Sequence, residues 1–504
     1  MSQTAGSMPE ATSLPKAIDQ AEGAPSGRRW WILAMVGLAQ LMVVLDGTIV
    51  NIALPTAQAD LGFSDGNRTW IVTAYSLAFG SLLLLGGRIA DLFGRKPAFL
   101  VGVSGFAVAS AMAGAATNFE ALVIGRALQG LFGALLAPAA LSLLTTTFID
   151  AKERAKAFGI FGAIAGSGAA VGLLLGGLLT EYLNWRWTLY VNLIIALVAI
   201  VGGWLLLERT ERDRGAKLDI PGTILVTAGL FGIVFGFSNA ESHDWSSALS
   251  WGFLTGGTVL LAVFAWWQTR AAHPLLPLRV LLDRNRGASF AALLVASAGM
   301  FGVFLFLTYY LQLSLGFSAI QTGLAFLPMV ATLMVSATMS TTFLFSVIGP
   351  KVVVPLGMAL GAVGLFWLTA LGLHSSYIAN VLPALLVTGL GIGLVMAPAM
   401  SVGTSGVATE DAGVASASLN TMQQIGGSIG TPLLNTLAAN AASSYLAVRN
   451  PADKLVQAQA AMESYTTAFL WSALLFAAGM LITALLFRRG IATAAPDAAP
   501  TVHM

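Results

Sequence analysis

Cysteine is absent from this 504-residue chain, which excludes a disulfide framework, a thiolate metal site and a cysteine nucleophile. Charge is scarce as well. Asp, Glu, Lys and Arg make up 10% of the residues, whereas a soluble domain carries about 25%. The four histidines, His243, His273, His374 and His503, are scattered through loops, span ends and a tail. With no HExxH and no paired-carboxylate set beside them, a membrane enzyme has no catalytic constellation to point to, and neither a metal nor a cofactor is expected.

What the chain has instead is apolar sequence: 57% of it is hydrophobic and mean hydropathy is +0.81. A polytopic membrane protein follows, with room for about fourteen spans of roughly 20 residues. The expected surroundings are the lipid bilayer, with no nucleic-acid partner and a monomeric chain. A net charge of +2 says little, because in such a protein the location of each charge matters more than the sum. Residues 1–27 are polar, without an apolar core or a small-residue cleavage pattern, and read as a disordered cytoplasmic tail rather than a signal peptide.

Apolar runs bounded by charges or turn residues fall near 30–53, 68–87, 97–116, 120–145, 156–180, 185–206, 219–238 and 248–268. Six more lie near 287–311, 320–345, 351–373, 377–399, 411–437 and 466–487. An even number of spans puts both termini on one side. Lys16, Arg28, Arg29, Arg488, Arg489 and the basic clusters of alternate loops crowd that side, with Arg68, Arg186, Arg449 and Lys454 on the other. The positive-inside rule makes the crowded side cytoplasmic. Two charged segments, 208–219 and 269–287, bracket the seventh and eighth spans and read as linkers. The expected organisation is a six-helix bundle over 28–206, a linker with two extra helices over 207–286, a second six-helix bundle over 287–490 and a tail over 491–504. Each bundle would consist of two inverted three-helix units. GRKPAFLVGV after span two and GPKVVVPLGM after span ten form a faint internal echo.

Three motifs carry more specific information. Gly86 to Leu100 reads GGRIADLFGRKPAFL, where Gly87 and Gly94 allow a tight turn and Asp91, Arg95 and Lys96 concentrate charge at a helix junction. This spacing resembles the signature loop of the major facilitator superfamily. RALQGLFGALLAP (Arg126 to Pro138) resembles the fourth-helix motif of its proton-driven antiporters, and LDGTIVNIALP (Leu45 to Pro55) resembles the first-helix motif of the fourteen-span drug-exporter branch. Trp185, Arg186, Trp187 and Asn192 also fit that branch. One departure stands out: in the glycine-rich fifth-helix stretch Ala169 occupies the place of an expected proline, while Gly168, Gly172 and Gly176 keep a four-residue spacing that suits close helix packing. The resemblance implies an all-α major facilitator fold of fourteen helices, two bundles that rock about a central site, and a signature loop in which Asp91 faces the helix start near Glu410 to Gly413. An anion is favoured at such a helix N-terminus by roughly 0.3–1 kcal/mol.

Asp46 is the acid lying well inside a span, and Arg126 is the matching base. An ionised carboxylate at a helix centre in lipid is unfavourable by about 3 kcal/mol, so the two isolated charges are expected to face one polar cavity. Asp46 is expected to bind the driving proton, with Arg126 acting directly or through Gln129. Desolvation disfavours the carboxylate and a guanidinium favours it, so protonation can follow the side to which the site opens. The resemblance implies that exporters of dications carry a second acid in the tenth span; 320–345 has none, so the expected substrates are lipophilic monocations, zwitterions or neutral drugs. Candidate cavity residues are Trp70, Tyr75, Phe301, Phe304, Tyr309, Tyr310, Asn420, Gln423 and Gln424, whose rings and amides suit flat, hydrogen-bonding molecules. The expected function is proton-coupled drug export from the bacterial cytoplasm. Export of a single natural product or lipid-like metabolite is the alternative, and solute import by proton symport a more distant one.

Overall fold

The computed structural model of the chain describes residues 26–148, 151–208, 219–243, 246–272, 274–276, 282–405, 407 and 412–488. Among them lie fourteen long helices and no strand. The first eight are α1 (Ser26–Leu61), α2 (Asp65–Phe93), α3 (Arg95–Gly114), α4 (Phe119–Thr147), α5 (Ala151–Tyr182), α6 (Trp187–Leu206), α7 (Ile220–His243) and α8 (Ala248–Gln268). Then come α9 (Arg284–Tyr309, continued by a π turn at Tyr310–Ser314) and α10 (Ala319–Met339, continued by a π turn at Ser340–Leu344 and a last turn at Phe345–Ile348). The remaining four are α11 (Pro350–Leu368), α12 (Leu382–Thr404, preceded by a π turn at Tyr377–Val381), α13 (Ala412–Ala447) and α14 (Lys454–Leu486). Eleven have an apolar window of membrane-crossing length among the described residues, and α2 and α5 hold the shorter apolar stretches Trp70–Leu83 and Ala170–Tyr182. The all-α, many-span expectation holds.

Helix ends follow local chemistry. Asn118 caps α4 by accepting from Ala121 N at 2.8 Å, and Ser318 and Gln321 form a reciprocal capping box on α10. Helix α14 starts at Lys454, well before the apolar run near 466, because Asp453 caps it and because the Tyr445 hydroxyl donates to Gln459 Oε1, tying its polar first turns to the overhanging end of α13. Gly94, between α2 and α3, has φ +98°, and Gly349, between α10 and α11, has φ +70°. Both lie in the region that L side chains avoid, so the echo seen between these two loops corresponds to one turn used twice.

The duplication extends to packing. In the first six helices α2 packs on α4, α3 on α4 and α6, and α1 on α5 and α6. In the last six α10 packs on α12, α11 on α12 and α14, and α9 on α13 and α14. The same pairs recur with the same roles. Cations close the corresponding helix ends in both sets: Arg28 Nε donates to Leu206 O at 3.1 Å, and Arg284 Nε to Leu486 O at 2.7 Å, each serving carbonyls that α6 or α14 leaves unpaired.

Two seams join the halves, α5 against α10 and α2 against α13. The first is tight: a Cβ at Gly323 would lie 2.5 Å from Leu173 O, and one at Gly177 would lie 2.7 Å from Ile320 Cα. The second seam is flanked by α7, which touches both α2 and α13, while α8 packs on α7. Thr227 Oγ1 donates to Ser81 O of α2 at 3.0 Å, and Thr436 Oγ1 of α13 donates to Phe237 O at 3.3 Å. On the side where α1 begins and α14 ends, buried Leu275 and Leu276 pack with Val226, Leu230 and Phe264. Asp219 holds this corner by accepting from Trp267 Nε1 at 2.7 Å and Gln268 Nε2 at 2.9 Å, and Arg88 Nη2 donates to Pro274 O at 3.0 Å.

Gly323→Val drives a branched side chain into the α5–α10 seam. The expected outcome is a longer distance between nitroxides on Tyr182→Cys and Leu313→Cys, measured by pulsed electron resonance; an unchanged distance would show that the seam absorbs the added bulk without opening.

Candidate functional site

Successive residues of a helix point about 100° apart, so neighbours on α1 serve different masters. Asp46 faces into the first helix bundle and is completely buried. Arg126, 1% exposed on α4, donates through Nη1 to Asp46 Oδ2 at 2.5 Å. Gln129, one turn further along α4, donates from Nε2 to Asp46 Oδ1 at 2.9 Å, and Asn192 of α6 donates to the same oxygen at 2.8 Å. Both carboxylate oxygens therefore have partners. Arg126 also donates from Nη1 to Gln129 Oε1 at 2.9 Å and from Nε to Ile71 O at 3.1 Å. Ser110 of α3 accepts from Gln129 Nε2 at 2.9 Å and Asn192 Nδ2 at 3.0 Å and passes its own proton to Leu189 O at 2.9 Å.

The expected trio of Asp46, Arg126 and Gln129 is thus brought together, and two members were missed. Ser110 has no distinguishing sequence context. Asn192 was visible as part of the WRWTLYVN motif, but nothing in that motif says its amide reaches α1. The same motif ties the opposite end of α1: Trp185 Nε1 and Arg186 Nη1 both donate to Asp60 Oδ2, at 2.9 and 2.5 Å. The α5 glycines supply the backing. Gly168 faces Val44, Gly172 faces Thr48 and Gly176 faces Ile49, which lets α5 lie directly on the Asp46 segment of α1.

A cavity of about 200 Å³ lies between the two halves. Gly47, Thr48 and Asn51 of α1 line it, with Tyr75 and Phe79 of α2, Phe161 of α5, Phe304 of α9 and Asn420 and Gln424 of α13. Among the described residues its wall carries four amides, Gln40, Asn51, Asn420 and Gln424, and no charged side chain. This corrects one expectation. Asp46 and Arg126 face each other but not this cavity, because the carboxylate sits on the side of α1 turned toward α4 and the ring of Tyr75 covers the guanidinium, with Arg126 Cζ 4.5 Å from its centroid.

Of the proposed cavity residues, Tyr75, Phe304, Asn420 and Gln424 line the wall. The side chain of Phe301 lies outside the described residues. Trp70 packs instead against Phe235 of α7, with ring centroids 6.1 Å apart. Tyr309 is buried beneath Arg68, whose Cζ is 4.0 Å from its ring, and donates to Gln58 Oε1 at 3.1 Å. Tyr310 donates to Gly372 O at 3.0 Å, within the second half, and Gln423 Nε2 contacts Met396 Sδ at 3.4 Å. Rotation of each helix decides these placements, and composition carries no record of it.

The Arg68–Tyr309–Gln58 stack belongs to a closure at the end of the molecule opposite the chain termini. Gln312 Nε2 of α9 donates to Ile52 O of α1 at 3.1 Å, and Ile320 N of α10 donates to Glu181 Oε2 of α5 at 3.1 Å. All these contacts cross between the halves. The cavity, by contrast, lies along the parts of α1, α2, α4 and α5 nearer the termini. In the signature loop, Gly94 makes the turn, Gly87 rests on Pro138, and Lys96 donates to Trp204 O at 3.0 Å and to Leu207 O at the end of α6. Arg95 is half-buried. The side chains of Asp91 and Ala169 lie outside the described residues, as do Glu410 and Asp411 of the expected partner of Asp91; Ala412 and Gly413 begin α13.

Comparison with known proteins adds the family. A model described as Major Facilitator Superfamily matches residues 36–431. The chain is 48% identical over 441 residues to the puromycin resistance protein pur8 of Streptomyces alboniger, covering 87% of each. It is 38% identical to the cephamycin export protein CmcT of Amycolatopsis lactamdurans, covering 82% of this chain and 85% of that one. Among solved structures, an auto-inhibited POT family peptide transporter matches with a TM-score of 0.67 at 18% identity, over 92% of this chain and 98% of the other. At that identity the likeness speaks for the fold.

Removing one member of a buried ion pair strands the other, which destabilises by about 3–5 kcal/mol, whereas replacing both with apolar residues is often neutral. Arg126→Ala is therefore expected to lower the melting temperature of the purified protein sharply, and the double variant Asp46→Leu with Arg126→Leu to melt above it. A double variant that melts below the single one would show that the pair is worth more than its desolvation.

Proposed function

The chain belongs to the Major Facilitator Superfamily, and from that premise we propose that it exports lipophilic, uncharged, zwitterionic or monocationic drugs across the bacterial cytoplasmic membrane in exchange for protons. It is a multi-pass membrane transporter, and its relatives named for puromycin, cephamycin and tetracenomycin support small antibiotics as cargo. The work is conformational rather than catalytic: the chain acts as a monomer with no cofactor, driven by the proton gradient, with both termini in the cytoplasm.

The observation that carries proton coupling is the completely buried Asp46 held by Arg126 at 2.5 Å. A carboxylate there binds α1 to α4 through a charge-assisted bond, the strong kind. Protonation removes the charge and weakens that bond, while Gln129 and Asn192 stay within reach of the neutral acid. Because α1 also supplies Gly47, Thr48 and Asn51 to the cavity wall, the grip of α4 on α1 bears on the shape of the substrate site. With the termini cytoplasmic, the closed end is the outer one, and the arrangement corresponds to a transporter facing inward. Export then requires the Arg68–Tyr309–Gln58 stack and the Gln312 and Glu181 bonds to part while the cavity closes toward the cytoplasm. A conformational exchange between two such packings of one fold needs only that protons and substrate bind them unequally.

The cavity supports recognition by hydrogen bonding and ring stacking rather than by charge. Gln40 from one half and Gln424 from the other line it with no hydrogen-bond partner among the described residues. Export of one natural product is a second reading, supported by relatives that are named for single antibiotics.

In everted vesicles with an acidic interior, the wild-type chain should accumulate drug and release protons when drug is added. Asp46→Asn should abolish that release, and release persisting at the wild-type level would sink the coupling role. Uptake that needs the opposite gradient would make the protein an importer. Gln40→Leu and Gln424→Leu should each weaken transport of puromycin about three- to tenfold, as expected for one lost hydrogen bond, and leave tetraphenylphosphonium, a cation without hydrogen-bonding groups, unaffected. Susceptibility profiles in a host stripped of its own pumps separate broad export from export of a single compound.

A further inference from the structure

We infer that Tyr75 is both the partition between the substrate cavity and the buried proton site and the part through which cargo is sensed by that site. This rests on the proton-coupled reading above. One face of the Tyr75 ring lies under the Arg126 guanidinium, 4.5 Å from centroid to Cζ. The same side chain forms part of the cavity wall, between Thr48 and Asn51 on α1 and Phe79 on α2. The other neighbours of the Asp46–Arg126 pair are already engaged: the Ile71 carbonyl, Gln129, Asn192 and, behind them, Ser110. The ring is therefore the movable piece on the cavity side.

Its hydroxyl is the second observation. Tyr75 is 6% exposed, and its oxygen has no hydrogen-bond partner among the described residues. The oxygen keeps access to the cavity rather than being sealed in the core, and a cargo with an acceptor takes the place of the water that otherwise serves it. Satisfying that hydroxyl draws the ring toward the cargo and away from the guanidinium, to which a cation–π contact binds it only modestly. Water then reaches Asp46 from the cavity. The O–H bond of the neutral acid breaks, the proton leaves on that water toward the open side, and the carboxylate left behind accepts the hydrogen bond from Arg126 Nη1 seen in this structure, the guanidinium keeping all its protons. With the cavity empty the ring stays in place, the proton stays on its side, and no current flows. The sensor thus prevents protons from crossing without cargo.

The test uses the full chain in proteoliposomes holding a pH dye, with a proton gradient imposed and no substrate. Tyr75→Ala should leak protons at least fivefold faster than wild type, and adding Asp46→Asn should return the leak to baseline, since the path runs through that carboxyl. Tyr75→Phe, which keeps the ring and loses the hydroxyl, should stay tight while puromycin-induced proton release falls several-fold. A tight Tyr75→Ala, or a leak that survives Asp46→Asn, overturns the proposal. If Tyr75→Ala does not purify as a monodisperse protein, Tyr75→Leu answers the same question. Wild-type protein that shows no puromycin-linked proton movement fails the coupled-export reading itself; coupling in wild type with a tight Tyr75→Ala overturns the partition alone.

Discussion

A guanidinium and a carboxylate 2.5 Å apart, with almost no access to solvent, set the terms for the first helix bundle. Neither charge is tolerable alone at that depth, so α1 and α4 must meet at one register and with one rotation. The remaining hydrogen-bonding capacity draws in α3 through Ser110, α6 through Asn192 and the start of α2 through the Ile71 carbonyl. Five helices are thereby oriented about a single acid. The α5 glycines then let a sixth lie against the back of α1, where Gly172 leaves no room for any side chain beside Thr48.

The second half repeats the packing scheme, and among its described residues no buried ion pair repeats that of Asp46 and Arg126. Helices α9 to α14 contact one another in the pattern of α1 to α6, and Gly349 repeats the left-handed turn of Gly94. The described buried side chains of this half include aromatic rings such as Phe306 and Phe326, with Phe304 reaching the cavity wall. One bundle holds the buried ion pair, and the other brings rings and the amides of Asn420 and Gln424 to the cavity. The seam between them, where an amide-lined cavity opens, is the natural place for cargo that need not be charged. The two extra helices break the symmetry, since α7 lies along the α2–α13 seam and takes Trp70 with it.

Legibility from sequence divided along physical lines. Asp46, Arg126 and Gln129 stood out because charge and amide in a lipid-crossing run are rare, and they do form one cluster. Trp70, Tyr309, Tyr310 and Gln423 were drawn to the cavity by chemistry alone and are elsewhere, each engaged by a neighbour on another helix or, for Tyr310, in the loop after α11. Arg68 read as a loop charge and instead covers Tyr309 in the closure between the halves. An aromatic ring or an amide suits cavity, packing core and interhelical contact equally well, so residue type does not choose among them.

The sequence by itself determined the number and approximate limits of the spans, because the length of an apolar run measured against a bilayer is a one-dimensional quantity. It also determined that an acid and a base would have to find each other within the membrane. Only the tertiary structure decided that they do so behind α1, sealed from the cavity by Tyr75. Side-chain direction depends on how far each helix is turned about its axis, and that rotation is set by the neighbours it packs against rather than by its own residues.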